Sequence, residues 1–528
     1  MMNARLALLA LISFLPLGTE TRAAETEAAR TVTGCVFLDR DADRHRDPDE
    51  PGLAGVGVSN GREVTATDGA GRYRLPVDDD EIIFVIKPRG YMYPVDACNV
   101  PRFFYVHKPA GSPPQLEHPG VAPTGPLPRS VDFPLIRHPE PDRFRIVVFG
   151  DPQPRDVREV NYMSRDLVPE LVGTDAAFGV SLGDVAFDDL SVYGPLNAAV
   201  SAVGIPWYNV HGNHDMNYDV TSDELADETW ERIYGPPTYS FDWGPVHFIA
   251  FDDVMYDGDE ERGRYHCELT DKQLAFIEND LAHVEREKLI VLMMHIPLFK
   301  MVNRDRLFDL LEDRPHTFSL SAHWHEQWHE IYGPEDGWDG EAPHHHLVHA
   351  TACGSWWAGA PDEFGIPHAT MADGAPNGYS IITFDGHDYS VRFKAAHRPA
   401  HEQMHVHAPD AVSASEIPTT EVLVNVYAGS ERSVVEMKVG EAGEWAPMKR
   451  IERTDPYYEA MKAAEAGETP PRGRELPKPA VCRHLWSAPL PADLPPGAHV
   501  IRVRTVDMFG QEDEARRVIR VGVGSNPR

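Results

Sequence analysis

Five short, widely separated segments carry side chains that ligate hard or borderline metal ions: Asp151-Pro-Gln153, Gly183-Asp184, Gly212-Asn213-His214-Asp215, His295-Ile-Pro297 and His323-Trp-His325. Carboxylates, amide oxygens and imidazoles in one set suit divalent cations between the hard and soft extremes. Two cations held ~3.5–4 Å apart can bind a phosphoryl oxygen, acidify a water and stabilise in-line displacement. Such a site needs a carboxylate shared by both ions, and Asp184 fits, because Gly183 before it lets the chain turn sharply. The chemistry suggested is two-metal hydrolysis.

Each segment follows a β-branched or apolar run, such as Arg145-Ile-Val-Val-Phe149 before Asp151. Each therefore sits just past the carboxyl end of a strand, where open α/β sheets place their ligand chemistry. From about residue 143 to 396 helical and strand patterns alternate, which predicts an α/β core. On either side the pattern changes to short alternating strands with Asn-Gly and Asp-Gly turns. Examples are Gly55-Val-Gly-Val-Ser-Asn-Gly61 and Thr67-Asp-Gly69 before the core, and Glu421-Val-Leu-Val-Asn-Val-Tyr427 after it. Two all-β sandwiches are predicted, at 31–135 and 410–525. The Pro/Gly-rich stretch 109–128 reads as a linker or surface loop, and 455–480 as a surface insertion in the second sandwich.

The chain of 528 residues is long enough for two or three domains. A net charge of -34 opposes binding to nucleic-acid polymers and anionic membranes. Residues 1–23 read as a cleaved signal peptide: Arg5, the apolar stretch Leu6 to Leu17, and a small-residue exit at Thr21-Arg22-Ala23, with the mature chain starting near Ala24. About a dozen apolar residues is short against the ~20 that span a bilayer. The prediction is a periplasmic or secreted protein with no integral membrane segment after signal removal. Export permits disulfides, and Cys35 and Cys98, flanking one small domain, are the candidate pair among five scattered cysteines.

The ordered metal motifs resemble those of the calcineurin-like metallophosphoesterase superfamily: Asp-x-His, Gly-Asp, Gly-Asn-His-Asp/Glu, a lone His, and Gly-His-x-His. The resemblance implies a four-layer αββα core over 143–396 and a phosphoric ester hydrolase, with a phosphomonoesterase as the leading form. It places the first metal on Asp151, Gln153, Asp184 and His325, and the second on Asp184, Asn213, His295 and His323. A hydroxide bridging the ions would attack phosphorus, His214 would assist the leaving oxygen, and Asp215 would orient His214. The metals would be Mn2+, Fe, Zn2+ or Mg2+. Gln153 stands where the family usually has His, so an amide replaces an imidazole; this either retunes the first site or empties it. Ala322 stands where Gly is usual and is tolerated if its φ stays negative. The layout of sandwich, core and β domain resembles exported bacterial three-domain members, with Cys353-Gly-Ser-Trp356-Trp357, Pro376-Asn-Gly-Tyr379 and His484-Leu-Trp486 as supporting segments.

Several residues have a functional and a structural reading. Trp356 and Trp357 wall the cleft or fill a core; Asp188 and Asp189 reach its rim or are solvated; Asn377 and Tyr379 sit on a Gly-flanked loop that could close over it. Asp39, Asp41, Asp43, Asp47 and Glu50 have spacing suited to a calcium loop, but Arg44, His45 and Arg46 interrupt it without a glycine. This segment resembles the start of the B-type repeats and related prealbumin-like sandwiches of bacterial surface proteins. His344, His345 and His346, with His349, could bind metal adventitiously, but His344 to His346 follow a Pro and precede a strand-like run and read as a solvated turn. The substrate would be a phosphorylated small molecule or a surface phosphoester. The alternatives are a phosphodiesterase or nucleotide-processing hydrolase of the same fold, and a cell-surface binding protein with a vestigial core.

Overall fold

The computed structural model describes residues 30–258, 264–441 and 443–522, and the leader read at residues 1–23 lies outside them. Two sheets built from strands between Arg143 and Ala395 form the centre. In the first, Trp207–Val210, Phe178–Leu182 and Arg143–Phe149 run parallel, continued by the antiparallel pair Gly378–Asp385 and Asp388–Ala395. In the second, Val246–Ala250, Leu289–Met293, Thr317–Ser321 and His344–Val348 run parallel between the antiparallel edges Tyr239–Trp243 and Trp328–Tyr332. Parallel strands covered on both faces read as unbroken apolar runs. Accordingly all five residues of Phe178–Leu182 and of Leu289–Met293 are buried.

Alternation distributes these side chains between layers. Ile146 and Val148 enter the core between the sheets. Val147 and Phe149 pack on the other side, with Val160, Met163 and Leu196 from helices Val157–Asp166 and Tyr193–Val200. Helix Asp271–Leu281 covers the second sheet through Leu274, Ile277 and Leu281. Its start is fixed by a capping box in which Thr270 and Gln273 satisfy each other's backbone N–H. The result is the expected αββα order.

The flanking regions are two-sheet β structures. Thr31–Leu38, Arg72–Pro76, Phe133–Arg137 and Tyr91–Met92 form one amino-terminal sheet, and Gly57–Ser59, Val64–Ala66, Glu81–Ile86 and Phe104–His107 the other. Phe103 and Phe84 of this unit pack directly on Tyr239 and Phe276 of the core. The fully buried Lys87 pairs with the equally buried Glu140 at 2.6 Å beside this junction. At the carboxyl end, sheets of four and five strands run from Met404 to Gly522. Arg392 of the core grips Asp513 with both guanidinium nitrogens, at 2.6 and 2.7 Å. No helix among the described residues is long and apolar enough to cross a membrane.

Two expectations change. His344, His345 and His346 form a buried strand instead of a solvated turn, and His349 is buried too. The burial is possible because hydroxyls of the neighbouring strand take up imidazole nitrogens in sequence. Thr317 Oγ1 meets His344 Nδ1 at 2.8 Å, Ser319 Oγ meets His344 Nε2 and His346 Nδ1 at 2.7 Å, and Ser321 Oγ meets His346 Nε2 at 2.9 Å. Burial holds these rings neutral, with the His344 pKa pushed down to about 3. Cys35 and Cys98 are not paired; all five thiols are free, and Cys35 lies buried in the strand Thr31–Leu38. In the acidic loop, Asp39, Asp41 and Asp43 come together closely enough to hold a cation, and the loop's carboxylates also serve the turn. Asp39 accepts from the N–H of Ala42 and Arg44, Asp43 from that of His45, and Glu50 from those of Arg40 and Asp47. Arg44 itself adopts φ +68°, so no glycine is needed there.

His247 shows how the core holds charge. Its Nδ1 meets Asp242 at 2.9 Å and its Nε2 meets Asp280 at 3.0 Å. Burial opposes the imidazolium, but the two carboxylates outweigh it and raise the pKa to about 9. A folded pKa above the unfolded value of about 6.5 means that this stabilisation is complete below pH ~6.5 and lost as pH rises through 9. Thermal unfolding of wild type and His247→Phe as a function of pH should show wild type losing on the order of 2–3 kcal/mol more than the variant between pH 6.5 and 9.5. Parallel curves over that range would refute it.

Candidate metal centre

All five ligand-bearing segments emerge from carboxyl ends of core strands, and they converge on Asp184. This carboxylate is 2% exposed. Its Oδ1 accepts from the His214 N–H at 2.8 Å and lies 3.2 Å from His295 Nε2, while Oδ2 accepts from Gln153 Nε2 at 2.8 Å. His295 Nε2 is also 3.1 Å from Asn213 Oδ1 and 3.1 Å from His323 Nδ1. On the other side of Asp184, Asp151 Oδ2 accepts from the His323 N–H at 2.9 Å, and His325 Nε2 stands 3.9 Å from Asp151 Oδ1. Asp151 Oδ1 is buried without a hydrogen-bond partner.

Two glycines make this approach possible. A Cβ on Gly183, which has φ +84°, would lie 2.4 Å from His295 Nδ1, and one on Gly212 would lie 2.5 Å from Asp184 Oδ1. Elsewhere the backbone is bent without glycine. Of the fourteen described non-glycine residues with positive φ, eight belong here: Asp151, Gln153, Asp184, Asp188, His323, His325, Trp356 and Trp357. Left-handed backbone is unfavourable for such residues and collects at functional sites. Ala322, in contrast, is absent from that set, as its place in the motif requires.

The imidazoles are oriented from behind. His295 Nδ1 meets Leu182 O at 2.9 Å and His325 Nδ1 meets Gly354 O at 2.6 Å. A carbonyl acceptor fixes the proton on Nδ1 and leaves Nε2 with its lone pair toward the centre. Asp253, not singled out from sequence, accepts from the N–H of His295 and Ile296 and so positions that turn. The signal available was Asp252-Asp253 directly after the strand Val246–Ala250.

The electrostatics of the protein side chains pull in opposite directions. Burial drives the Asp151 pKa well above the usual carboxylate range, against the pull of His295. Asp184 goes the other way, because His295 and His214 overcome its burial. Burial tends to discharge His295, yet Asp184, Asp151 and Asp253 raise its pKa to about 10. Burial and the adjoining His295 push His323 down to about 3. An orphaned carboxylate oxygen, oriented imidazole lone pairs and a shared carboxylate fit divalent cations as the groups meant for that place.

The structure corrects several sequence readings. Asp215 does not orient His214; it is buried and accepts from the N–H of Val185, Ala186 and Gly212 and from Tyr193 Oη. Asp188, weighed as a substrate contact, is the partner, 2.7 Å from His214 Nδ1. Phe187 stacks on the same ring at 4.3 Å. Trp357 is 1% exposed and packs in the core with Asn377 and Tyr379 also buried. Asn377 bonds Asp166 and Ala352 O, and Tyr379 faces Glu170, so neither closes over the site. Trp356 is half-buried and stacks on His325 at 4.0 Å. Gln153 turns its amide N–H toward Asp184 and its Oε1 toward Cys353 Sγ, 3.7 Å away; a half-turn of the amide would exchange the two.

Three family models match consecutive parts of the chain. Calcineurin-like phosphoesterase matches residues 144–327, the N terminal of calcineurin-like phosphoesterase residues 41–117, and the C terminal of calcineurin-like phosphoesterase residues 346–512. The chain belongs to the calcineurin-like phosphoesterases, enzymes that hydrolyse phosphoric esters with divalent metal ions. No curated protein matches it. Among solved structures, a purple acid phosphatase from yellow lupin (Lupinus luteus) seeds is similar at 12% identity and a TM-score of 0.36, over 69% of this chain and 66% of that one. The chain thus spans just under two thirds of that phosphatase. CopC from Methylosinus trichosporium OB3b is similar at 15% identity and a TM-score of 0.13, over 24% of this chain and 100% of that one. Both scores are too low to define the fold.

Asp188 and Asp215 can be separated experimentally. Asp188→Asn should lower hydrolysis of a chromogenic phosphate monoester by about 10–100-fold with an unchanged melting temperature, as expected of a group that orients an active imidazole. Asp215→Asn should instead destabilise the fold by roughly 1–3 kcal/mol, because buried N–H donors lose an ionised acceptor. The reverse pattern would restore the sequence-based assignment.

Proposed function

We propose that this protein is an exported, dinuclear metal-dependent phosphoric ester hydrolase acting on monoesters of a small molecule or a surface. The observation that carries the reading is the convergence of Asp151, Asn213, His295, His323 and His325 on one buried carboxylate, Asp184. Asp151, Asp184, His325 and Gln153, through its amide oxygen, would hold one cation; Asp184, Asn213, His295 and His323 would hold the other. Bound there, two divalent cations would supply charge for the phosphoryl oxygens and would lower the pKa of a water so that its hydroxide form is available at neutral pH.

The remaining work falls to residues of the chain. His214 is half-buried, its backbone N–H tied to Asp184 and its Nδ1 to Asp188. With Nδ1 engaged and the ring held flat against Phe187, Nε2 is the atom left to face substrate. Burial disfavours the charged ring, but Asp184 and Asp188 raise its pKa overall. Protonated at Nε2, it can donate to the departing ester oxygen, and Asp188 stabilises the ring through that step. Trp356 on His325 offers an aromatic face to an organic leaving group.

Asp184→Ala should abolish both metal content, measured by elemental analysis, and turnover. His214→Ala should keep the metals and lower turnover by ~10²–10⁴-fold. Turnover that persists in Asp184→Ala would sink the assignment. Export rests on Arg5, the apolar stretch Leu6 to Leu17 and the exit at Ala23. Mass spectrometry of the protein from a native cell envelope or medium should give a chain beginning near Ala24; an intact amino terminus in the cytosol would overturn that part.

A further inference from the structure

Two guanidinium groups from opposite parts of the chain meet beside the metal centre on a single carbonyl. Arg155, two residues after Gln153, donates Nη1 to Trp356 O at 3.0 Å. Arg474, from the insertion in the last domain, donates Nη1 to the same oxygen at 2.6 Å. One buried carboxylate, Glu159, serves both: it accepts from Arg474 Nη2 at 2.7 Å and from the Arg155 backbone N–H at 2.9 Å, with Arg155 Nη1 3.5 Å away. The cluster therefore carries two positive charges against one negative, in a chain of net charge -34. Burial and Arg474 weaken Arg155's hold on its proton, while Glu159 opposes them.

The pair is built in. Gly473 has φ +137°, and a Cβ there would lie 2.0 Å from Gly359 O. The next residue bridges back to Gly359, whose N–H donates to Arg474 O at 2.8 Å. Trp356 adopts φ +54° at the carbonyl that receives both cations. The Arg155 guanidinium lies 4.1 Å from the Phe187 ring, which itself stacks on His214, and the Trp356 ring lies on His325. Arg155 thus stands one aromatic ring away from His214, and both guanidinium groups hold the carbonyl of the residue whose ring stacks on the candidate metal ligand His325. Their side chains keep 28% and 37% of their surface in solvent. Arg474 also lines an open recess of about 330 Å³ in which Arg472 and Lys462 stand with Glu465 and Glu475.

We propose that Arg155 and Arg474 form an anion-recognition pair that selects phosphate esters whose leaving group carries a second anionic group, a phosphate or a carboxylate. Forked N–H donors match both groups in geometry and charge. The proposal rests on the hydrolase reading for the position of the first phosphate, but its test needs no turnover. Calorimetry on the metal-loaded full-length protein would compare phenylphosphonate with 4-carboxyphenylphosphonate and 1,4-phenylenebisphosphonate.

Wild type should bind at least one doubly anionic probe about tenfold more tightly than phenylphosphonate, the scale of one charge-assisted hydrogen bond. Which probe shows the gain tells carboxylate from phosphoryl recognition. In Arg474→Met the ratio of dissociation constants should collapse toward one, and in Arg474→Lys, which keeps the charge, it should stay above one. A wild-type ratio near one, or a ratio unaltered by Arg474→Met, overturns the proposal. If Arg474→Met binds none of the probes, a ratio near one in Arg474→Lys overturns it and a retained ratio supports it. Selective binding without turnover of any ester would sustain the pair and reject the hydrolase reading.

Discussion

A carboxylate with 2% exposure, Asp184, is the constraint around which the centre is arranged. An isolated buried anion is strongly disfavoured, so its oxygens must be met by donors or cations on every side. Gln153, the His214 backbone and His295 meet them, each from a different strand end. To bring three separate turns within reach of one side chain, the backbone adopts left-handed conformations at eight non-glycine positions and leaves no room for a Cβ at Gly183 and Gly212. That strain persists because the two sheets behind it are packed from fully buried strands. The site is local in space and global in its dependence on the fold.

What could be read from the sequence follows from the same physics. Apolar runs ending in Asp, Asn or His announce strand ends with ligands, and all five such segments do meet. The flanking β structure was legible because alternation and turn residues act over a few positions. Partner choices over longer distances were not legible. Asp215 is adjacent to His214, but its carboxylate points to Val185, Ala186 and Gly212, whereas Asp188, twenty-six residues upstream, reaches the ring. Sequence adjacency carries little information once the chain turns sharply. The histidine run 344–346 misled for a related reason: polarity suggests exposure, and only the facing Thr317, Ser319 and Ser321 show how the rings can be buried.

The last domain is joined to the core by polar contacts as well as apolar ones. His484 meets Asp373 at 3.0 Å and Asn425 at 2.8 Å, and Asn425 reaches back to Asp373 O at 3.0 Å. Asp373 in turn accepts from the Gln327 N–H at 2.9 Å, two residues beyond His325. A buried network of this kind tolerates little displacement, because each unmatched group would be left without solvent. The turn carrying His323 and His325 is thereby braced from the carboxyl-terminal side.

The shared carbonyl of Trp356 has a consequence in time. It is reached by one arginine from position 155 and another from position 474, so its surroundings stay incomplete until residue 474 has been made. A nascent core can gather Asp184 and its neighbours by residue 325, yet it lacks one wall until Arg474 follows, after the first strands of the carboxyl-terminal sheets and before the last three. Chain order alone thus separates the moment when the ligands can assemble from the moment when the finished surface exists.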